Sequence, residues 1–269
     1  MKKTGLAFAS LVLASSLAHG DDYPSPTNER VRLSIGAMKV STTTNVLLDS
    51  SAGLPGTALN AEDQFGLSGS SWEPKFQVTV RAGERHRLRF DYFSLDRTGS
   101  STLAQSALVF KDVVFLQGDP ITTTMNLRTL GISYEYSFIH RERFELAASV
   151  GLNDTDISLR ARVQTEFRHV DQLEDQAGPL PTIGLDTTYV VSKRFYVDGR
   201  VQYFKASVDH LDGLLSFYEA SVQYRLRPNI AFALGYSSIK AYVNSRQTTN
   251  GGYFSFVTKG PEAFVRVAF

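Results

Sequence analysis

The sequence predicts an all-β chain: a single antiparallel up-and-down transmembrane β-barrel of about ten strands, with eight or twelve as alternatives. Three observations carry that reading. Apolar and polar residues alternate with period two, connections take turns between tight and long, and aromatic residues gather near the tight ones.

The chain opens on Lys2 and Lys3, continues as an apolar run over 5–17 and reaches Ala18-His19-Gly20, which is the layout of a secretory signal. Cleavage is expected after Gly20, making 1–20 a signal peptide and 21–269 the barrel. A membrane-spanning helix needs about 20 apolar residues. Ser10, Ser15, Ser16 and His19 leave this run too short for one.

The first strand is expected near Val31, Leu33, Ile35 and Ala37. Phe76, Val78 and Val80 then interleave with Lys75, Gln77, Thr79 and Arg81, and Leu88, Phe90 and Tyr92 with Arg87, Arg89 and Asp91. The pattern returns at Leu130–Phe138, Phe144–Leu152, Ile183–Tyr189, Phe195–Tyr203, Tyr218–Leu226, Ile230–Tyr236 and Ala263–Phe269. Each is a strand with one apolar and one polar face.

A soluble β-sandwich alternates too, so the connections discriminate. Those at 82–85, 139–143, 192–194 and 227–229 are tight; those around 48–71, 97–123, 164–178, 208–215 and 244–252 are longer. Short periplasmic turns and longer outward loops fit this rhythm, with both chain ends in the periplasm. The stretch 166–175 reads as a solvated outward loop. Tyr136, Phe138, Phe144, Tyr189, Phe195, Tyr224 and Phe232 lie beside the tight turns, and Phe269 falls at the same level. They form one aromatic belt at one membrane surface.

The last strand, Glu262-Ala-Phe-Val-Arg-Val-Ala-Phe269, together with the export signal and the strand pattern, resembles the small porin-like outer-membrane β-barrel proteins of Gram-negative bacteria. The resemblance is architectural and covers nearly the whole mature chain. It implies residence in the cell outer membrane among lipid and lipopolysaccharide, with periplasmic chaperones and the barrel-assembly machinery as partners during biogenesis. Ala263, Val265, Val267 and Phe269 match the terminal assembly signal of such proteins; Val267 stands where an aromatic is common.

Phase places Lys75, Arg81, Arg87, Arg89, Arg200, Arg225 and Arg266 on the inward face with Asp91, Glu135, Glu145, Asp186, Asp198 and Glu219. A desolvated charge without a partner costs several kcal/mol, so near-matched signs predict ion-paired networks plugging a narrow bore. The alternative is a narrow diffusion pore in which these groups are hydrated.

Twenty-eight Lys plus Arg against 27 Asp plus Glu give a net charge of +1, which supports no nucleic-acid partner. Cysteine is absent, excluding disulfides and thiolate chemistry. No histidine spacing suggests a metal site, and no cofactor is expected. His86 and His140 sit at tight turns, and all the mature chain's histidines read as surface residues. A rim enzyme, an omptin-like protease or a lipid A-modifying hydrolase, would lean on Asp209-His210 with Asp91 and Asp96. Adjacent residues on a strand point to opposite faces, so that couple is poorly arranged. The leading expectation is a non-enzymatic barrel with a charge-plugged lumen and a structural or surface-recognition role; its extracellular partner is not specified by the sequence.

Overall fold

The structure, a computed structural model, describes residues 23–49, 56–104, 107–110, 113–164, 169–247 and 251–269. The expected signal, 1–20, lies outside them. In chain order the strands are β1 (Val31–Leu48), β2 (Leu59–Asn60), β3 (Ser70–Ala82), β4 (His86–Thr102), β5 (Ala107–Phe110), β6 (Val113–Leu116), β7 (Pro120–Arg141), β8 (Phe144–Gln164), β9 (His169–Val190), β10 (Phe195–Val208), β11 (Leu211–Arg227), β12 (Ile230–Ser245) and β13 (Gly252–Ala268). Ten of them, all but β2, β5 and β6, pair antiparallel in sequence order, and β13 pairs with β1 to close the barrel. β2 adds to β1, and β5 with β6 forms a separate hairpin.

Closure follows from the solvent. Hydrocarbon cannot satisfy stray N–H and C=O groups, so a spanning sheet must have no free edge. The outward face carries the exposed apolar side chains, among them Ile35, Phe76, Leu88, Ile132, Val150, Leu185, Val201, Val222, Leu234 and Val265. The belt residues register side by side near the tight turns: Phe144 opposite Tyr189, Phe195 opposite Tyr224, and Tyr224 opposite Phe232. The rings of Phe195 and Tyr224 are 5.0 Å apart. A second set, Trp72, Tyr92, Tyr203, Tyr218 and Tyr236, is exposed toward the other end. From Phe195 to Tyr203 is about 26 Å of strand, or about 20 Å of height at a barrel tilt near 40°. That matches the apolar band of a membrane barrel.

The tight links fall at 83–85, 142–143, 191–194 and 228–229. At the opposite end strands replace much of the expected loop. β4 and β7 run to Thr102 and from Pro120, β8 and β9 enclose only 165–168, and β10 meets β11 across Asp209 and His210. The expected loop at 166–175 is therefore largely the start of β9. Above the apolar band the outward residues turn polar, as in Thr98, Ser100, Thr122 and Asn126, so alternation continues without its apolar signal.

The connection from β1 to β3 folds inward as the short helix α1 (Ala61–Phe65). Asn60 caps it, its Oδ1 accepting from Glu62 N at 3.0 Å and Asp63 N at 2.9 Å. Gly66 ends it at φ +66, a left-handed conformation suited to glycine. Leu67 then bridges to Gly99 of β4, an approach so close that a Cβ on Gly99 would stand 1.9 Å from Gly66 O.

Candidate functional site: a charged floor beneath an apolar chamber

The inward face has two tiers. In the half nearer the tight turns, Glu145 on β8 accepts from Arg81 Nη2 at 2.8 Å and from Arg87 Nη1 at 2.9 Å. Arg87 Nε also lies 2.8 Å from Glu135, which Arg89 reaches at 2.8 Å. Arg89 and Arg200 bracket Asp186 at 3.3 and 3.5 Å, and Arg200 donates to Asp91 at 2.8 Å. Lys75 joins Glu219 and Glu262 at 2.5 and 2.7 Å. Side chains from opposite walls thus meet across the bore. Glu135 and Glu145 have no solvent exposure, so each charge is held by its partners rather than by water.

Below this network the chain's first described residues fold into the mouth. A single 3₁₀ turn, Pro26–Asn28, brings Glu29 to Arg32 at 2.9 Å and to Arg225 at 3.0 Å. Pro24 O accepts from Arg225 at 2.5 Å, and Pro26 O from Arg32. Arg266 spans Asp198 at 3.0 Å and the Tyr196 hydroxyl at 2.8 Å. The segment acts as a cork seated on arginines.

In the outer half many of the inward side chains are apolar. Met38 and Val40 on β1, Phe93 and Leu95 on β4, Met125 and Leu127 on β7, Leu159 on β8 and Phe256 on β13 form one buried cluster. Phe65 and Leu67, carried by α1 and its exit, join it, with Phe65 6.0 Å from the Phe115 ring. Arg97 fixes this cap by donating to Glu62 at 2.5 Å and to Thr44 Oγ1 at 2.7 Å. Above the floor, against Met38, Phe93, Leu127 and Phe256 of this cluster, lies a cavity of about 250 Å³. Its walls include Leu127, Ile157, Leu215, Phe217, Ile239 and Phe254; its base is Lys75, Gln77, Asp91 and Arg200.

All thirteen charged residues named from the sequence (Lys75, Arg81, Arg87, Arg89, Asp91, Glu135, Glu145, Asp186, Asp198, Arg200, Glu219, Arg225 and Arg266) take part in ion pairs. Sequence reasoning passed over Glu29, Arg32 and Glu262. The last two share the inward phase of their strands, so the same rule could have found them. It also missed the chamber. Along β4 the apolar residues change face, from Leu88, Phe90 and Tyr92 outward to Phe93 and Leu95 inward, without a bulge. His140 departs from its expected surface role: it is half-buried, its Nδ1 3.3 Å from Glu145.

Asp209 and His210 are exposed on the β10–β11 turn, Asp209 with φ 49. Asp91 is bound to Arg200 in the floor, and Asp96 is exposed on the outer face of β4. The structure does not gather these four into one site. Among the described residues no group of three or more His, Cys, Asp or Glu is placed to hold a metal ion.

No family model and no curated protein matches the chain. Among solved structures, the outer membrane protease OmpT from Escherichia coli aligns over 89% of this chain and 97% of its own, with a TM-score of 0.57 at 10% identity. The fold is that of an outer-membrane β-barrel protein. Others are the translocator domain of autotransporter NalP from Neisseria meningitidis, TM-score 0.49 at 11% identity over 89% of both chains, and Neisserial surface protein A, TM-score 0.28 at 14% identity over 89% of this chain and 97% of that one. At such identities the likeness concerns fold alone.

Proposed function

We propose that this protein is an integral outer-membrane barrel that conducts no solute and instead receives an apolar molecule in its outward half. The observation that carries the reading is the apolar chamber standing on a floor of ion-paired side chains. Buried guanidinium and carboxylate groups paired across the bore occupy it with charges held by one another rather than by water, which supports a sealed floor. A cavity of about 150 Å³ lined by aliphatic and aromatic groups stays dry and takes benzene, so about 250 Å³ has room for a larger apolar guest. In this reading 1–20 direct export, and the outward-facing Ala263, Val265, Val267 and Phe269 are offered to the assembly machinery.

Refolded protein in planar bilayers should stay electrically silent, and protein in nanodiscs should bind an environment-sensitive naphthylamine dye. Ala241→Trp, which fills the chamber wall, should reduce that binding at least tenfold. Steady conductance steps would sink the sealed floor. Equal dye binding by parent and Ala241→Trp would sink the chamber as the site.

A further inference from the structure

We infer that the chamber opens sideways, through a slot between β9 and β10, and that its guest is the acyl chain of an anionic lipid arriving from the membrane. This rests on the ligand-binding reading above and gives its ligand class and route.

The slot is visible in the pairing. β9 and β10 are in register from Val190 opposite Tyr196 to Ile183 opposite Tyr203, and there the ladder stops. Both strands continue. β9 stays paired with β8 as far as His169, and β10 with β11 as far as Val208. From Thr182 and Phe204 outward, no hydrogen bond between described residues crosses this seam. The ladder between β3 and β4 also stops early, at Lys75 opposite Phe93, but there the α1 segment fills the breach. Leu67 bridges to Gly99, Ser101 donates to Gln64 O at 2.6 Å, and Gly69 O accepts from Thr42 N at 2.8 Å. The β9–β10 seam has no such patch among the described residues.

Sequence chemistry keeps the seam apart. Pro179 and Pro181 lie on β9 just beyond the last paired residue and have no N–H to give a neighbouring strand. Two residues apart, they present the same strand edge. Leu180 between them and Phe204 across the seam both line the cavity, so the chamber reaches the opening.

Its height selects the guest. Ile183 and Tyr203, at the foot of the slot, are outward and exposed, at the top of the apolar band; Pro181 registers with the exposed Leu152. A slot beginning there meets the lipid surface rather than bulk water. Exposed Lys205 stands at its lip and exposed Lys240 two strands away, neither in an ion pair among the described residues. An aliphatic chain entering the chamber would leave its anionic head beside Lys205. A bilayer phospholipid and a free fatty acid share that chemistry.

The chain has no cysteine and one tryptophan, which makes the test clean. In a Trp72→Phe, Leu215→Trp background, the reporter in the chamber wall is quenched by brominated-chain phosphatidylglycerol in nanodiscs, or by an added nitroxide-bearing fatty acid. Quenching by the first names a bilayer lipid as the source; quenching by the second alone names a free carboxylate. Thr182→Cys with Phe204→Cys then joins the first unpaired register by a disulfide or, failing that, a short bis-maleimide. Closure should cut lipid quenching at least fivefold relative to the reduced, unlinked variant, and reduction of the disulfide should restore it. Pro179→Val with Pro181→Val, which lets the strands pair, should cut it likewise. Lys205→Gln should weaken the fatty acid severalfold. Unchanged quenching on closure overturns the lateral route; absence of quenching by both probes overturns the lipid guest. If the naphthylamine dye still binds in either case, the chamber reading survives; if it never binds, that reading fails first.

Discussion

Replacing Glu145 with alanine removes the carboxylate shared by Arg81 and Arg87 and the acceptor of Ser137 Oγ at 2.5 Å. Among the described residues, Arg81 would keep only the Glu84 carbonyl, and Arg87 only Glu135. Glu145 is fully buried and both arginines nearly so, so water cannot take its place without opening the wall. Breaking a buried pair typically costs about 3–5 kcal/mol. With a urea m-value of about 2–3 kcal/mol/M, the unfolding midpoint should fall by about 1–2.5 M. Urea titration followed by heat-modifiable migration on gels measures this. A companion variant with Glu145→Leu, Arg81→Met and Arg87→Met should recover more than half of the loss, because the stranded cations go with the anion. A fall below about 0.4 M, the scale of an exposed pair worth under about 1 kcal/mol, would refute the argument from burial and imply a hydrated lumen.

Two further outcomes follow from the same geometry. Arg87→Ala, Arg89→Ala and Arg200→Ala together should give conductance steps in planar bilayers, where the parent is expected to give none; silence of the triple variant would place the seal elsewhere. Gly99→Val should dislodge the α1 segment, since even a Cβ meets Gly66 O at 1.9 Å. Chymotrypsin should then nick the folded barrel near Phe65, where the parent resists, and equal resistance would count against α1 as the patch on the β3–β4 breach.

Where the outward band crosses lipid, every strand from Phe76 to Phe269 was legible, because contact with hydrocarbon forces a strict period of two. The floor was legible for the same reason: Arg87, Arg89 and Asp91 stand in the gaps of an apolar ladder. Above the membrane that logic lapses. Phe93, Leu95, Met125 and Leu127 are apolar on the inward phase while Asp96 and Asn126 face out, so the pattern inverts and the expected strands stop at Tyr92 and begin only at Leu130. The chamber was hidden in that inversion. The slot was hidden differently: Pro179 and Pro181 fall between the long connection expected at 164–178 and the strand expected from Ile183, and only the register shows a partner strand on one side of them and none on the other.

The cork at the tight-turn mouth constrains the order of events during folding. Glu29 and Pro24 reach Arg225 across 196 and 201 residues of chain, and Phe269 O accepts from the N–H groups of Arg30 and Val31. Such contacts bridge nearly the longest separations the chain allows, and long-range contacts form slowly. Of the arginines that hold the cork, those on β11 and β13 lie one strand apart through β12, and the β1 end of the chain, with Glu29 and Arg32, reaches them only once β1 pairs with β13. Plugging is thus tied to completion: a partly inserted intermediate lacks its seat, and the act that joins first strand to last also shuts the mouth.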